Sequence, residues 1–239
     1  MHLTEINLLQ EKYPSRAEYP FCLDVFNATG KIVFTTPVTF FIGENGSGKS
    51  TLLKALARAC NIHIWKDEDS GQNHNTRYSE DLYKYMDIVW SGGTVPGSFF
   101  ASEYFRNFAD NIDRWAKADP GILKYYGGEN LLTKSHGQYH MAFFKSRYRI
   151  KGLYLLDEPE NALSPGKQLE LLKILKEMSL AGHSQFIIAS HSPILLALPG
   201  ATIYSFDHIP VKQVPYEKTE HYLVYRDFLN NRDKYLNNL

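Results

Sequence analysis

The chain of 239 residues is short of several things, and each shortage removes a class of protein. It has two cysteines, Cys22 and Cys60, too few for a disulfide framework and at no metal-ligand spacing. They read as small buried apolar side chains in a reducing compartment. Its net charge is zero, with 26 Lys plus Arg against 26 Asp plus Glu, so no overall field demands a nucleic-acid or membrane partner. No apolar run approaches the roughly 20 residues needed to span a bilayer. The start, Met1-His2-Leu3-Thr4-Glu5, lacks the basic and apolar regions of a secretory signal, and the expected location is the cytoplasm. Internal repeats, low-complexity tracts and flexible linkers are missing too. What is present, 44% hydrophobic and 22% charged residues, suffices for a sizeable core. The length suits one α/β domain carrying an inserted subdomain.

Hydrophobic patterning gives the expected elements. Phe21 to Asn27 and Lys31 to Thr35 read as a hairpin turning at Asn27 to Gly30, followed by a short strand from Val38 to Ile42. Lys49 to Cys60 reads as a helix, because Leu52, Leu53, Leu56 and Cys60 share one face. From Asn61 to Ser135 the pattern loosens, with Gly-rich breaks and a helix expected over 102–118. Leu153 to Leu156, Phe186 to Ala189 and Thr202 to Phe206 read as buried strands, with a helix from Gly166 to Leu180 between the first two. Tyr222 to Leu239 reads as a polar helix. Short apolar strands alternating with helices predict a mostly parallel sheet covered on both faces. Residues 62–135 are expected to form a helical insertion on it, within a single domain spanning 1–239.

Two motifs carry chemistry. Gly43-Glu44-Asn45-Gly46-Ser47-Gly48-Lys49-Ser50-Thr51 satisfies G-x-x-x-x-G-K-[ST] after a strand and at the opening of a helix. Its glycines let the backbone wrap a polyphosphate with N–H groups pointing inward, and the helix N-terminus adds partial positive charge at the same point. The pattern assigns Gly43, Asn45, Gly46, Ser47 and Gly48 to the cradle. It assigns Lys49 to the β- and γ-phosphates, Ser50 to Mg²⁺ and Thr51 to the α-phosphate of ATP. The second motif is Asp157-Glu158-Pro159, just past the apolar strand Leu153 to Leu156. Taken alone, a strand ending in a solvated acidic turn is the plainer reading. Beside a phosphate loop, Asp157 becomes a Mg²⁺ ligand and Glu158 a group that polarises the attacking water.

With these motifs in this order, the chain resembles an ABC-type ATPase, and more narrowly the small stand-alone bacterial ATPases of the AAA family. Leu153 to Pro159 resembles the Walker B strand, Glu160-Asn161-Ala162-Leu163-Ser164 the D-loop, and Ser190-His191-Ser192 the switch-histidine segment. The resemblance implies a P-loop α/β fold with an ABC-type mixed sheet, an N-terminal antiparallel β portion and the helical insertion. It implies that His191 meets the γ-phosphate, that Lys49 and Glu158 act with it in catalysis, and that Ser135, Gly137 and Gln138 form a degenerate signature loop. That loop would contact ATP bound to a second copy in a homodimer. Ser135-x-x-Gln138 is equally a helix capping box, and both readings can hold together. Glu103 stands where the family places its Q-loop glutamine, which makes it a further candidate for the metal. Tyr13, Tyr19 and Phe21 are candidates for stacking on adenine.

What the ATPase would drive is open at this level. Residues 62–134 hold more acids than bases, a poor nucleic-acid face, although Lys145, Arg147, Arg149 and Lys151 alternate beside Phe144 and Tyr148. A stand-alone ATPase coupled to a protein partner through the insertion, a repair or defence ATPase stimulated by nucleic acid, and an ATP-gated clamp with little turnover are the three readings. Glu158 speaks against the last.

Overall fold

A computed structural model describes residues 1–65, 77–119, 121, 123 and 136–236. In chain order they form β1 (Leu3–Leu8), α1 (Asp24–Ala28), β2 (Lys31–Val33), β3 (Val38–Ile42), α2 (Lys49–Ala59), β4 (Met86–Trp90) and β5 (Gly97–Ala101). There follow α3 (Phe105–Ala118), α4 (His136–Arg147), β6 (Gly152–Asp157), α5 (Pro165–Leu180), β7 (Ser184–Ala189) and α6 (Pro193–Leu196). The chain ends with β8 (Thr202–Ser205), β9 (Lys212–Gln213), α7 (Glu220–Asn230) and α8 (Arg232–Leu236).

The main sheet has the order β5-β6-β7-β3-β8-β9, parallel except for the antiparallel edge strand β9. Every residue of β3, β6 and β7 is buried, as strands covered on both faces require. Because side chains alternate along a strand, neighbours serve different layers. Phe40, Tyr154, Leu156, Phe186 and Ile188 join a core with Phe143 and Phe144 of α4 and Leu171 and Leu175 of α5. Phe41, Leu153, Leu155, Ile187 and Ala189 face the other way, against Leu52, Leu53 and Leu56 of α2 and the antiparallel sheet β2-β1-β4. Gln185, fully buried in β7, ties that second sheet down: its side chain accepts from the N–H of His2 and Leu3 and donates to the Leu3 carbonyl.

Three expectations change. The cysteines are not both buried, since Cys22 is exposed and Cys60, at the end of α2, is half-buried. The hairpin over 21–35 does not form, because Asp24–Ala28 is helical and β2 pairs with β1 instead. Val25 and Phe26 are both buried, and Phe21 with them, a spacing of four to five that suits one helical face and not strand alternation. Segment 62–135 is not simply a helical insertion, since it supplies β4 to the small sheet and β5 to the edge of the main one. Among its described residues the α-helical part is α3. Among the described residues no helix is long and apolar enough to cross a membrane.

Candidate phosphate-binding site

Parallel strands bring their carboxyl ends to one edge of a sheet, and in open α/β sheets ligands gather there. Phe41, Ala189 and Asp157 lie abreast in register, and Ala101 of β5 is level with Asp157. The segments leaving these strands hold Gly43, Ser190 to Ser192, Glu158 and Glu103, with Asp207 just beyond β8.

The loop from Gly43 to Thr51 depends on its glycines. Gly43, Gly46 and Gly48 have φ of 144°, 82° and 102°, in the region that glycine alone enters at little cost. A Cβ on Gly48 would also lie 2.9 Å from the ring of Phe26, so α1 packs directly under the turn into α2. Glu44, Asn45 and Gly46 are exposed, and the loop is open to solvent on that side. Lys49 is 4% exposed, and its Nζ donates to the carbonyls of Gly43 at 2.6 Å and Glu44 at 2.8 Å. Burial holds its ammonium below the usual lysine range, against the pull of Glu158, Asp207, Asp157 and Glu160.

Ser50 Oγ donates to Asp157 Oδ1 at 2.9 Å across 107 residues of sequence, which joins the two motifs. Asp157 is buried, and desolvation pushes its carboxyl up to about 6, against the opposing hydrogen bond from Ser50. A carboxyl whose folded pKa is raised binds its proton more tightly folded than unfolded. Its stabilising contribution is therefore full below the unfolded value of about 4 and is lost as pH rises to about 6. In the absence of divalent cations, Asp157→Asn is expected to stabilise the chain at pH 7.5 by about 2 kcal/mol, while Ser50 still donates to the amide oxygen. At pH 5 the gain should shrink. Urea unfolding midpoints at the two pH values check this, and equal midpoints for both chains at pH 7.5 would contradict it.

Glu158 takes a left-handed backbone conformation, φ 47° and ψ 54°, which costs a non-glycine residue about 1 kcal/mol or more. The turn aims its carboxylate along the sheet edge, where Asn161 Nδ2 donates to Oε2 at 2.6 Å and His191 Nε2 lies 3.7 Å from Oε1. Ser102 Oγ donates to the Glu158 carbonyl at 2.8 Å. Buried Glu160 accepts from Ser190 Oγ at 2.9 Å and from the His191 N–H at 2.5 Å, while Ser192 donates to Gln168 at 2.6 Å. The segment carrying His191 is thereby pinned on both sides.

Not all expected residues converge. Glu103 reaches the same edge, but its carboxylate is exposed and pairs with Lys54 Nζ at 3.2 Å, which satisfies it away from Ser50. Ser135 lies outside the described residues. Gly137 and Gln138 occupy the first turn of α4, with the side chain of Gln138 also outside them. Of the three aromatics, Phe21 is fully buried and Tyr13 packs on it with ring centroids 4.6 Å apart. Tyr19 is exposed and its hydroxyl lies 2.5 Å from Thr51 Oγ1. Phe144 and Tyr148 are buried in the core, so they cannot stack on bases beside the basic run, where Lys145 pairs with Glu170.

Sequence reasoning missed two residues. Asp207 Oδ1 accepts from the Glu44 N–H at 2.8 Å and closes the loop from the β8 side. His221 of α7 sits with Nε2 at 3.0 Å from His191 Nδ1. Neither stands in a motif, and nothing in the local pattern points to either.

Glycine-wrapped loop, buried lysine and serine–aspartate contact together define a P-loop nucleotide-binding protein. Residues 144–197 match the family described as "AAA domain, putative AbiEii toxin, Type IV TA system", and residues 25–93 match one described as "AAA domain". The chain is 27% identical over 158 residues to the ferric enterobactin transport ATP-binding protein FepC of Escherichia coli (strain K12), covering 59% of this chain and 57% of FepC. It is 33% identical over 175 residues to the ribose import ATP-binding protein RbsA of Caldanaerobacter subterraneus subsp. tengcongensis, covering 64% of this chain and 34% of RbsA. It thus spans less than two thirds of either relative. In fold it is similar to cbiO1 of Clostridium perfringens, part of the ABC transporter complex cbiONQ. The two share 17% identity, 100% of this chain and 99% of that one are covered, and the TM-score is 0.53. These matches make the chain similar to ABC-type and AAA-type ATPases, with a P-loop α/β fold in common.

Proposed function

We propose that the chain binds Mg-ATP at the Gly43 to Thr51 loop and hydrolyses it, with two copies enclosing two nucleotides. The observation that carries this reading is the 2.9 Å contact between Ser50 and Asp157, because it sets a hydroxyl and a carboxylate side by side next to Lys49. Hard oxygen donors of this kind suit Mg²⁺, which commonly takes one or two protein groups and leaves its other positions to phosphates and water. Among the described residues no three His, Cys, Asp or Glu side chains cluster as an all-protein cage. Charge also favours a cation: Asp157, Glu158, Glu160 and Asp207 all act on Lys49, and a polyphosphate would meet them unscreened without one. Bound there by Ser50 and Asp157, Mg²⁺ would supply positive charge to the phosphate oxygens.

The residues of the chain divide the remaining work. Lys49 and the N–H groups of the loop hold the phosphates. Glu158, held by Asn161, orients and polarises a water at the γ-phosphate, and His191 offers Nε2 to that phosphate from the neighbouring strand end. Tyr19, exposed beside Thr51, is the aromatic best placed to meet the base. The exposed face at Glu44 to Gly46 leaves room for a second copy, whose Ser135 to Gln138 segment would close the site. One domain carrying α3 and α4 as its helical part would present that part to a protein partner. Phosphate release measured with Mg-ATP tests this reading. Turnover that stops when EDTA removes the cation is expected, and absence of both ATP binding and phosphate release would overturn it.

A further inference from the structure

His191 and His221 meet at 3.0 Å, Nδ1 to Nε2, and one of the two nitrogens must donate. The outer nitrogens decide which. His191 Nε2 and His221 Nδ1 are both buried without a hydrogen-bond partner, and His191 Nε2 faces Glu158 Oε1 at 3.7 Å. If His191 donated from Nδ1, its Nε2 lone pair would face a carboxylate, and His221 would bury an N–H at Nδ1 with nothing to receive it. The opposite arrangement places an N–H of His191 toward Glu158 and leaves only an acceptor unpaired at His221. A buried orphan acceptor is the more tolerated of the two.

We infer that His221 is a positioning residue: it donates from Nε2 to His191 Nδ1 and so holds His191 in the tautomer whose Nε2–H points into the phosphate site. The role in turnover rests on the proposed hydrolysis of ATP, whereas the tautomer itself does not. Both rings stay neutral in this arrangement. Burial and the nearby Lys49 of α2 lower His191, against Glu158 at the end of β6 and Asp207 beyond β8. Burial and His191 itself lower His221, against Asp207 and Glu220 of α7.

His221 also ties a distant element to the site. Among the described residues α7 has no buried side chain, so the core does not dictate where it sits. Beside the histidine pair, it is steadied by Thr219, which caps it, and by Tyr222 against Tyr216, ring centroids 4.8 Å apart. Turnover then depends on α7 being seated, and Glu220, His221 and Val224 of α7 line one cavity with Gly43, Glu44 and Asn45 of the loop.

The test reads tautomer and turnover separately in the full chain. Long-range proton–nitrogen correlation spectra of the chain with isotope-labelled histidine report which ring nitrogen carries the proton, with His191→Gln identifying the His191 signals. In the wild-type chain His191 is expected as the Nε2–H form without nucleotide. In His221→Phe it should move to a mixture of both forms, with kcat for ATP about ten-fold or more lower and KM within about two-fold. His221→Gln, whose amide nitrogen sits where Nε2 does, should restore the tautomer and most of kcat. His221→Asn, whose amide falls short, should restore neither. Wild-type His191 in the Nδ1–H form, or a His191 spectrum unchanged by His221→Phe, would overturn the inference. So would a lowered kcat that Gln does not rescue. A chain that hydrolyses no ATP would sink the proposed function and leave the tautomer result to stand by itself.

Discussion

Lys49→Ala is expected to lower ATP turnover by at least ~10²-fold, the scale of losing one preorganised charge-stabilising donor. The size follows from what surrounds the ammonium. Lys49 sits under the loop, bonded to the carbonyls of Gly43 and Glu44, with the charges of Glu158, Asp207, Asp157 and Glu160 all acting on it. Removing it subtracts a positive charge from a site whose ligand is anionic and whose walls are acidic. The loss should therefore appear in ATP affinity as well as in kcat. Arginine is not an equivalent, because its planar fork cannot take the place of a compact ammonium between two carbonyls 2.6 and 2.8 Å away. Phosphate release and nucleotide binding by calorimetry check the prediction, with thermal unfolding run in parallel because the two carbonyls lose their donor. Unchanged hydrolysis in Lys49→Ala would exclude this loop as the site.

The parts of this molecule that the sequence announces are those where chemistry dictates spacing. A polyphosphate cradle needs glycines at fixed intervals before a helix, and Gly43, Gly46 and Gly48 have the positive φ that the pattern implies. Strands buried on both faces read as unbroken apolar runs, and β6 and β7 were legible for that reason. β1 was not legible: Thr4, Glu5 and Asn7 interrupt its apolar residues, and its place is set from outside, by Gln185 of β7. Helix α1 reads as a strand in the sequence because Phe21, Val25 and Phe26 are β-formers by composition, whereas their burial against α2 and Tyr13 suits a single turn of helix. β4 hides in an aromatic-rich stretch whose pairing partner, β1, lies some eighty residues earlier. His221 belongs to another kind of omission. It is one histidine in a polar helix, and what distinguishes it is the ring it meets thirty residues away. Local pattern carries no trace of such a contact.

Glu158→Gln is expected to lower hydrolysis by ~10²-fold or more while ATP stays bound, the range for losing a positioned acid or base. The substitution keeps the shape of the site. Asn161 Nδ2 can donate to the amide oxygen as it does to Glu158 Oε2, and the left-handed turn at this position is unchanged in length and bulk. What disappears is the negative charge, and with it the ability to polarise water. In the proposed arrangement the same loss removes a carboxylate from beside the γ-phosphate, so bound ATP should be held more firmly than in the wild-type chain. If two copies enclose the nucleotides, that firmer hold accumulates the enclosed state. Light scattering with Mg-ATP should then give a mass twice that of the chain for Glu158→Gln, and a single-chain mass without nucleotide. A single-chain mass with ATP demonstrably bound would sink the two-copy arrangement, and undiminished hydrolysis would remove Glu158 from the mechanism. Glu158→Gly separates charge from backbone: it relieves the strained φ of 47°, so the folded chain should lose no stability from the turn, yet hydrolysis should fall at least as far as in the glutamine variant. Turnover retained in the glycine variant would mean that the strain at Glu158 shapes the turn for a purpose other than presenting a carboxylate.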